Sequence, residues 1–105
     1  MEIKFEKEYL EELYHKGKTD DKKHRFRPQV VAKYVKTIDL MESLSRVEDM
    51  YRYHSLNYEK LTEDKVGIES VRVNDKYRIE FQSKKIEAET VVTVCSILEL
   101  SNHYK

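Results

Sequence analysis

Two arginines, Arg72 and Arg78, stand in the segment Ser70-Val71-Arg72-Val73-Asn74-Asp75-Lys76-Tyr77-Arg78-Ile79-Glu80-Phe81. Alternate residues of a strand share a face, so Val71 and Val73 belong together, as do Tyr77, Ile79 and Phe81, while both arginines point the other way. Turning both apolar sets toward one core demands a hairpin in which Val73 faces Tyr77 and Arg72 faces Arg78. The loop is then Asn74-Asp75-Lys76, and Asn and Asp tolerate the left-handed backbone such a loop uses. Like charges directly opposite in a sheet cost on the order of a few tenths to ~1 kcal/mol. Two explanations stay open. The pair holds an anion with several acceptor oxygens, such as a phosphodiester that matches the guanidinium fork, or Glu69 or Glu80 neutralises it as an ordinary solvated face.

Other residues carry chemistry less specifically. His103 has the side chain of a general acid or base, with an unperturbed pKa of ~6.5, and Tyr104 beside it has a ring on which a base can stack; the alternative is a terminal segment with no such role. Tyr53, His54 and Tyr58, with Arg52 and Lys60 nearby, offer aromatic and basic groups suited to single-stranded RNA, or else cover the edge of a core. Residues 16 to 36 carry eight Lys and Arg against Asp20 and Asp21, whereas residues 1 to 15 carry five Glu against Lys4 and Lys7. Lys16, Lys18, Lys22, Lys23, Arg25 and Arg27 therefore form a basic stretch, either a solvated face or a contact for RNA phosphates. Cys95 lies in the apolar run VVTVCSIL and reads as a buried thiol. One Cys and four scattered His show no ligand spacing, so neither a metal nor another cofactor is expected.

These residues need a scaffold, and the periodicity supplies one. MEIKF reads as a first strand and EKEYLEELYHKG as a helix, with Phe5, Tyr9, Leu10, Leu13 and Tyr14 near one helical stripe, stopped by Gly17. A longer helix starts at Pro28 and runs to Ser45 through Val31, Tyr34, Val35, Ile38, Met41 and Leu44. Ser45-Arg46-Val47-Glu48 has the form of a capping box for a short further helix. Residues 52 to 67 read mostly as loop, and strands follow at 68–73, 77–83 and 88–98, with SKKIEAE as the last turn. Helices followed by consecutive strands give an α+β fold, N-terminal helices packed on a small antiparallel sheet.

The 105 residues fit one domain spanning 1–105. With no long apolar run and no leader, neither a membrane span nor secretion is expected, which leaves the cytoplasm. The formal net charge of zero argues against binding nucleic acid by total charge alone.

The hairpin closely resembles the Ser-Ile/Val-Arg-Val/Ile-Asn-Asp-x-Trp/Tyr-Arg-Ile-x-Phe segment of HigB-like toxins in the RelE/ParE superfamily. The context is similar too: an early helix ending at His15-Lys16-Gly17-Lys18, a longer second helix, a Leu-x-x-Asp-x-x-Gly loop at Leu61 to Gly67, the hairpin and a terminal strand. The resemblance implies a RelE-like fold and a bacterial type II toxin that cleaves mRNA on the ribosome. It also implies silencing by a helix-turn-helix, HigA-like antitoxin. The implied chemistry is metal-independent: the RNA 2′-OH attacks the adjacent phosphorus, and Arg72 and Arg78, which match the family's arginines, clamp the scissile phosphate. Where many HigB toxins have Leu-His-Pro-Leu-Lys-Gly, this chain has Tyr58-Glu59-Lys60-Leu61-Thr62-Glu63, so the His and Lys are missing and Lys60 or His54 are the nearest substitutes. His103 and Tyr104 match the family's terminal His and Tyr in kind but not in order. Within the same fold, a ParE-like topoisomerase inhibitor and a catalytically decayed interaction module are the competing expectations.

Overall fold

The computed structural model describes residues 1–102. Strand β1 (Glu2–Phe5) leads into helix α1 (Glu8–Lys16), which ends where Gly17 turns left-handed at φ 74° and its N–H reaches the Leu13 carbonyl at 3.1 Å. Only glycine takes that conformation without strain. Helix α2 (Pro28–Ser43) begins on Pro28, whose missing N–H is no loss in a first turn. The buried sides of both helices, Tyr9, Leu10 and Leu13 with Val31, Tyr34, Ile38 and Met41, join Val71, Ile79, Phe81, Cys95 and Ile97 of the sheet in one core. The Tyr34 hydroxyl donates to the Leu10 carbonyl at 2.8 Å and so fixes one helix on the other. Among the described residues no helix is long and apolar enough to cross a membrane.

Strands β2 (Glu59–Lys60), β3 (Glu69–Arg72), β4 (Tyr77–Glu87) and β5 (Val91–Asn102) complete a five-stranded sheet in the order β1-β5-β4-β3-β2. The sheet is mixed rather than antiparallel, because β1 runs parallel to β5, with Ile3 opposite Cys95. The long stretch between them supplies the crossover that parallel neighbours require.

The hairpin register is the one its alternation demands: Val71 faces Ile79 and Arg72 faces Arg78. The loop is built differently from expectation. None of Asn74, Asp75 and Lys76 has positive φ; instead the Asn74 carboxamide oxygen accepts from the N–H groups of Lys76 at 2.9 Å and Tyr77 at 2.8 Å. The side chain replaces a backbone turn.

Three other segments depart from the periodic reading. SKKIEAE is mostly strand, since β4 and β5 stay paired from Lys84 and Val94 out to Glu87 and Val91, leaving residues 88–90 as the turn. The capping group is Asp49, which accepts from the Arg46 N–H at 3.2 Å, and the segment it starts is a 3₁₀ helix, Val47–Arg52. Between Glu80 and Phe81 the register slips, because Phe81 pairs with Ile97 but Glu80 with Glu99. Leu98 is thus the extra residue of a β-bulge, and Glu99 moves to the face away from the core while Ile97 and Leu100 both stay buried.

Glu63 is held at φ 61°. In the ungapped comparison of residues 58–63 it falls where the Leu-His-Pro-Leu-Lys-Gly segment has glycine, the residue that adopts such a φ without strain. Left-handed backbone costs a side-chain-bearing residue about 1–2 kcal/mol, while glycine's extra freedom when unfolded returns part of this. Glu63→Gly is expected to raise stability by about 0.5–1 kcal/mol, read as a higher urea midpoint at unchanged slope; a lower midpoint would show the conformation unstrained. Burial pushes the Cys95 thiol up to about 12. Iodoacetamide at pH 8 is therefore expected to label Cys95 only as fast as the protein opens; immediate stoichiometric labelling would contradict the buried placement.

Candidate active site

The face of the sheet turned away from the helices carries both arginines. Directly opposed residues in an antiparallel pair share a face, so the registers define two rows. One runs Ser101, Arg78, Arg72 across β5, β4 and β3; the next runs Glu99, Glu80, Ser70, Glu59 across β5 to β2. Arg72, Arg78, Ser70, Glu59, Asn57 and Tyr77 line a cavity of about 190 Å³. The arginines are therefore adjacent, on one wall-to-wall surface, and open to a ligand.

Their charges are balanced from the flanks. Arg72 forms an ion pair with exposed Asp75 in the hairpin loop. Arg78 is the more enclosed, its side chain 19% exposed, and Nη2 reaches Glu80 Oε2 at 3.2 Å. Lys65 Nζ donates to the same oxygen at 2.8 Å, so Glu80 anchors two cations. Glu69, the other carboxylate considered as a neutraliser, lies on the opposite face. It is buried, accepting from the Tyr58 hydroxyl at 2.6 Å and the Ser83 N–H at 2.8 Å.

The connector between the helices walls this surface on the β5 side. His24 stacks on Tyr9 with ring centroids 3.7 Å apart and planes within 6°. Its Nδ1 lies 2.9 Å from Asp21 Oδ2 and its Nε2 lies 3.8 Å from Glu99 Oε1. The Tyr9 hydroxyl donates to Glu99 at 2.7 Å and accepts from the Leu100 N–H at 3.1 Å. Burial, together with its bond to Glu99, raises the Tyr9 hydroxyl above its ordinary range, although the Leu100 N–H opposes this. For Glu99 burial acts upward, but bonds from Lys7 and Tyr9 outweigh it and hold the carboxyl below the usual range. The bond to His24, then the Lys23 N–H, lowers Asp21 likewise. Among the described residues no group of three or more His, Cys, Asp and Glu is placed to share a metal ion.

The sequence-derived candidates distribute unevenly. Lys23 and Arg25 line a second cavity against β5, while Arg25 and Arg27 line a third with Tyr77 and Lys76 beside the hairpin loop. Lys16, Lys18 and Lys22 are exposed but line none of these, and Lys16 pairs with Glu12 at 3.9 Å. Tyr53 and His54 are exposed. Tyr58, grouped with them as a stacking residue, is instead buried against Phe81 with its hydroxyl on Glu69. Lys60 faces Glu69, so within β2 it is Glu59, and not Lys60, that turns toward the arginines. His103 and Tyr104 lie outside the described residues.

Glu59 and His24 escaped the sequence reading. A two-residue strand shows no periodicity, though the alignment that puts Glu59 where HigB toxins have histidine was a usable signal. His24 sat inside what read as a polar connector.

Comparison with known proteins agrees with this architecture. A family model described as "RelE-like toxin of type II toxin-antitoxin system HigB" matches residues 3–94. Among solved structures, the YoeB/ParE toxin from Agrobacterium tumefaciens is similar with a TM-score of 0.56 at 17% identity, covering 99% of this chain and 100% of that one, a likeness of fold. No curated protein matches. With the family match spanning most of the chain and the paired arginines in the family's register, this protein belongs to the HigB-like toxins, the RelE-like toxins of type II toxin–antitoxin systems.

Proposed function

We propose that the chain is a ribosome-dependent mRNA endonuclease that cleaves by attack of an RNA 2′-OH on the neighbouring phosphorus. The observation that carries this reading is the pairing of Arg72 with Arg78 on an open cavity that Glu59 also lines. Two guanidinium groups on adjacent strands present planar donor forks to one phosphate, and they strengthen their hold as charge builds on its oxygens. That differential grip, rather than tight ground-state binding, is what lowers a barrier.

Glu59 is the proton acceptor in this reading. It lies on β2, one strand from Arg72 and on the same face, and is exposed. As the O2′–P bond forms, the hydroxyl proton passes to the Glu59 carboxylate, and the P–O5′ bond breaks to leave a 2′,3′-cyclic phosphate. The carboxylate takes the role that an imidazole has the position to play in relatives carrying histidine there. Lys23, Arg25, Arg27 and Lys76 around Tyr77 add a basic rim beside the cavity, suited to phosphates of mRNA or ribosomal RNA despite the zero net charge. The antitoxin partner follows from membership of a type II system; a HigA-like helix-turn-helix protein is the form proposed.

Induced expression in bacteria, with mRNA 5′ ends mapped by primer extension, tests the reading. The wild type is expected to arrest growth and cut translated messages. Arg72→Ala and Arg78→Ala should each lower cleavage by about 10²- to 10³-fold, and Glu59→Gln by at least about 10²-fold, with folding intact by circular dichroism. Intact transcripts in wild-type cells would sink the nuclease reading, and DNA breaks in their place would favour a topoisomerase target.

A further inference from the structure

We propose that His24 is the general acid of the cleavage reaction, giving its Nε2 proton to the 5′-oxygen that leaves the scissile phosphorus; this rests on the nuclease reading above.

A group that serves as acid must be oriented, reach the leaving atom and stand opposite the base. His24 meets the first condition through two restraints on separate elements. Asp21 holds Nδ1 at 2.9 Å, which leaves Nε2 as the nitrogen turned toward the sheet, and the ring is clamped flat on Tyr9. Tyr9 is itself pinned by Glu99 and by the backbone of Leu100. A half-buried connector histidine held on both its edge and its face has little freedom left to lose on meeting a substrate.

Its place beside the arginine cavity bears on the other two conditions. His24 lines a cavity of about 460 Å³ with Lys65, Tyr77, Glu80 and Ser101. Tyr77 also lines the arginine cavity, and Glu80 binds Arg78, so the two spaces adjoin. Strand order sets the polarity. Glu59 flanks the arginine pair from β2, whereas His24 flanks it from beyond β5, where Glu99 lies 3.8 Å from its Nε2. Displacement at phosphorus places the attacking and leaving oxygens roughly in line, so a base on one side and an acid on the other is the arrangement the reaction demands. The nucleoside that departs then occupies the His24 cavity, beside the aromatic Tyr77 and Phe26 rings.

The proton and electron account closes. The 2′-OH proton goes to Glu59 and the O2′–P bond forms. The P–O5′ pair stays on O5′, which takes the Nε2 proton. His24, an imidazolium at the start of the step, is left as neutral imidazole that keeps its Nδ1–H and donates it to the Asp21 carboxylate.

The test uses the full-length protein and ribosomes programmed with a message whose A-site linkage carries sulfur in place of the bridging 5′-oxygen. A thiolate leaves without help from an acid. His24→Ala and His24→Gln are expected to cleave the ordinary message about 10²-fold or more slower than wild type, yet to cleave the sulfur-linked message within a few-fold of it. Arg72→Ala should be slow on both. Ordinary rates in the His24 variants would overturn the proposal. So would a loss that sulfur fails to restore, which would mark His24 as merely holding the connector to β5. Rescue of His103→Ala by sulfur, with none for His24→Ala, would assign the acid elsewhere. If the wild type cuts neither message, it is the nuclease reading itself that fails, and the acid with it.

Discussion

Everything at the candidate site depends on holding two like charges side by side on neighbouring strands. Arg72 and Arg78 do not choose that geometry; the apolar residues between them impose it. Val71 against Ile79 and Phe81 must face the helices, and because side chains alternate with period two, a slip of one residue would turn the core outward. The cost of the arginine pair is therefore met by the burial of its neighbours. The Asn74 side chain, bonded to the Lys76 and Tyr77 N–H groups, locks the turn in the same register.

The carboxylates around the pair follow from this constraint. Asp75 and Glu80 sit at opposite ends of it, each bonded to one guanidinium, so the ligand-free surface is tolerable without an anion between the arginines. Glu80 is buried and would be costly there alone; Lys65 and Arg78 together make it affordable. Glu99 reaches the same face only because Leu98 is bulged. Lys7, Tyr9 and His24 surround it at the free edge of β5, where β1 no longer pairs. A single extra residue in one strand thus brings the connector histidine up to the sheet.

What could be read from the sequence was whatever repeats. The hairpin register, the extents of α1 and α2 and the burial of Cys95 all follow from spacing, and they stand in the structure with small shifts of boundary. What could not be read was single and non-local. β2 is two residues long, and its sense of facing is decided by β3. The Leu98 bulge breaks the period that would have revealed it. Lys84 to Glu87 look like turn because they are charged, yet they are strand because they pair with residues 91 to 94. Tyr58 looks like an exposed aromatic in a loop, but Glu69, buried on the core face, needs a donor and Tyr58 supplies it. His24 carries no signature at all: its partners Tyr9, Asp21 and Glu99 lie on separate segments, and only folding joins them.

The neutral total charge and a phosphate ligand are compatible once the charges are placed in rows. The row Ser101, Arg78, Arg72 is cationic or neutral, whereas the row beside it, Glu99, Glu80, Ser70, Glu59, is acidic. Residues two apart on a strand are separated by about 6.6 Å, so the two rows are distinct on the scale of a phosphodiester. A backbone of repeating negative charge laid along the acidic row would meet carboxylates at three of four positions. Along the arginine row it meets two guanidinium groups and a hydroxyl. In the proposed reading, a phosphodiester confined to the arginine row lies between β2 and β5, beside a row whose Glu80 and Glu99 are already paired with lysines and whose Glu59 is exposed. A zero net charge is thus compatible with a local cationic row, because the acidic residues that cancel the basic ones in the sum occupy a different row of the same face.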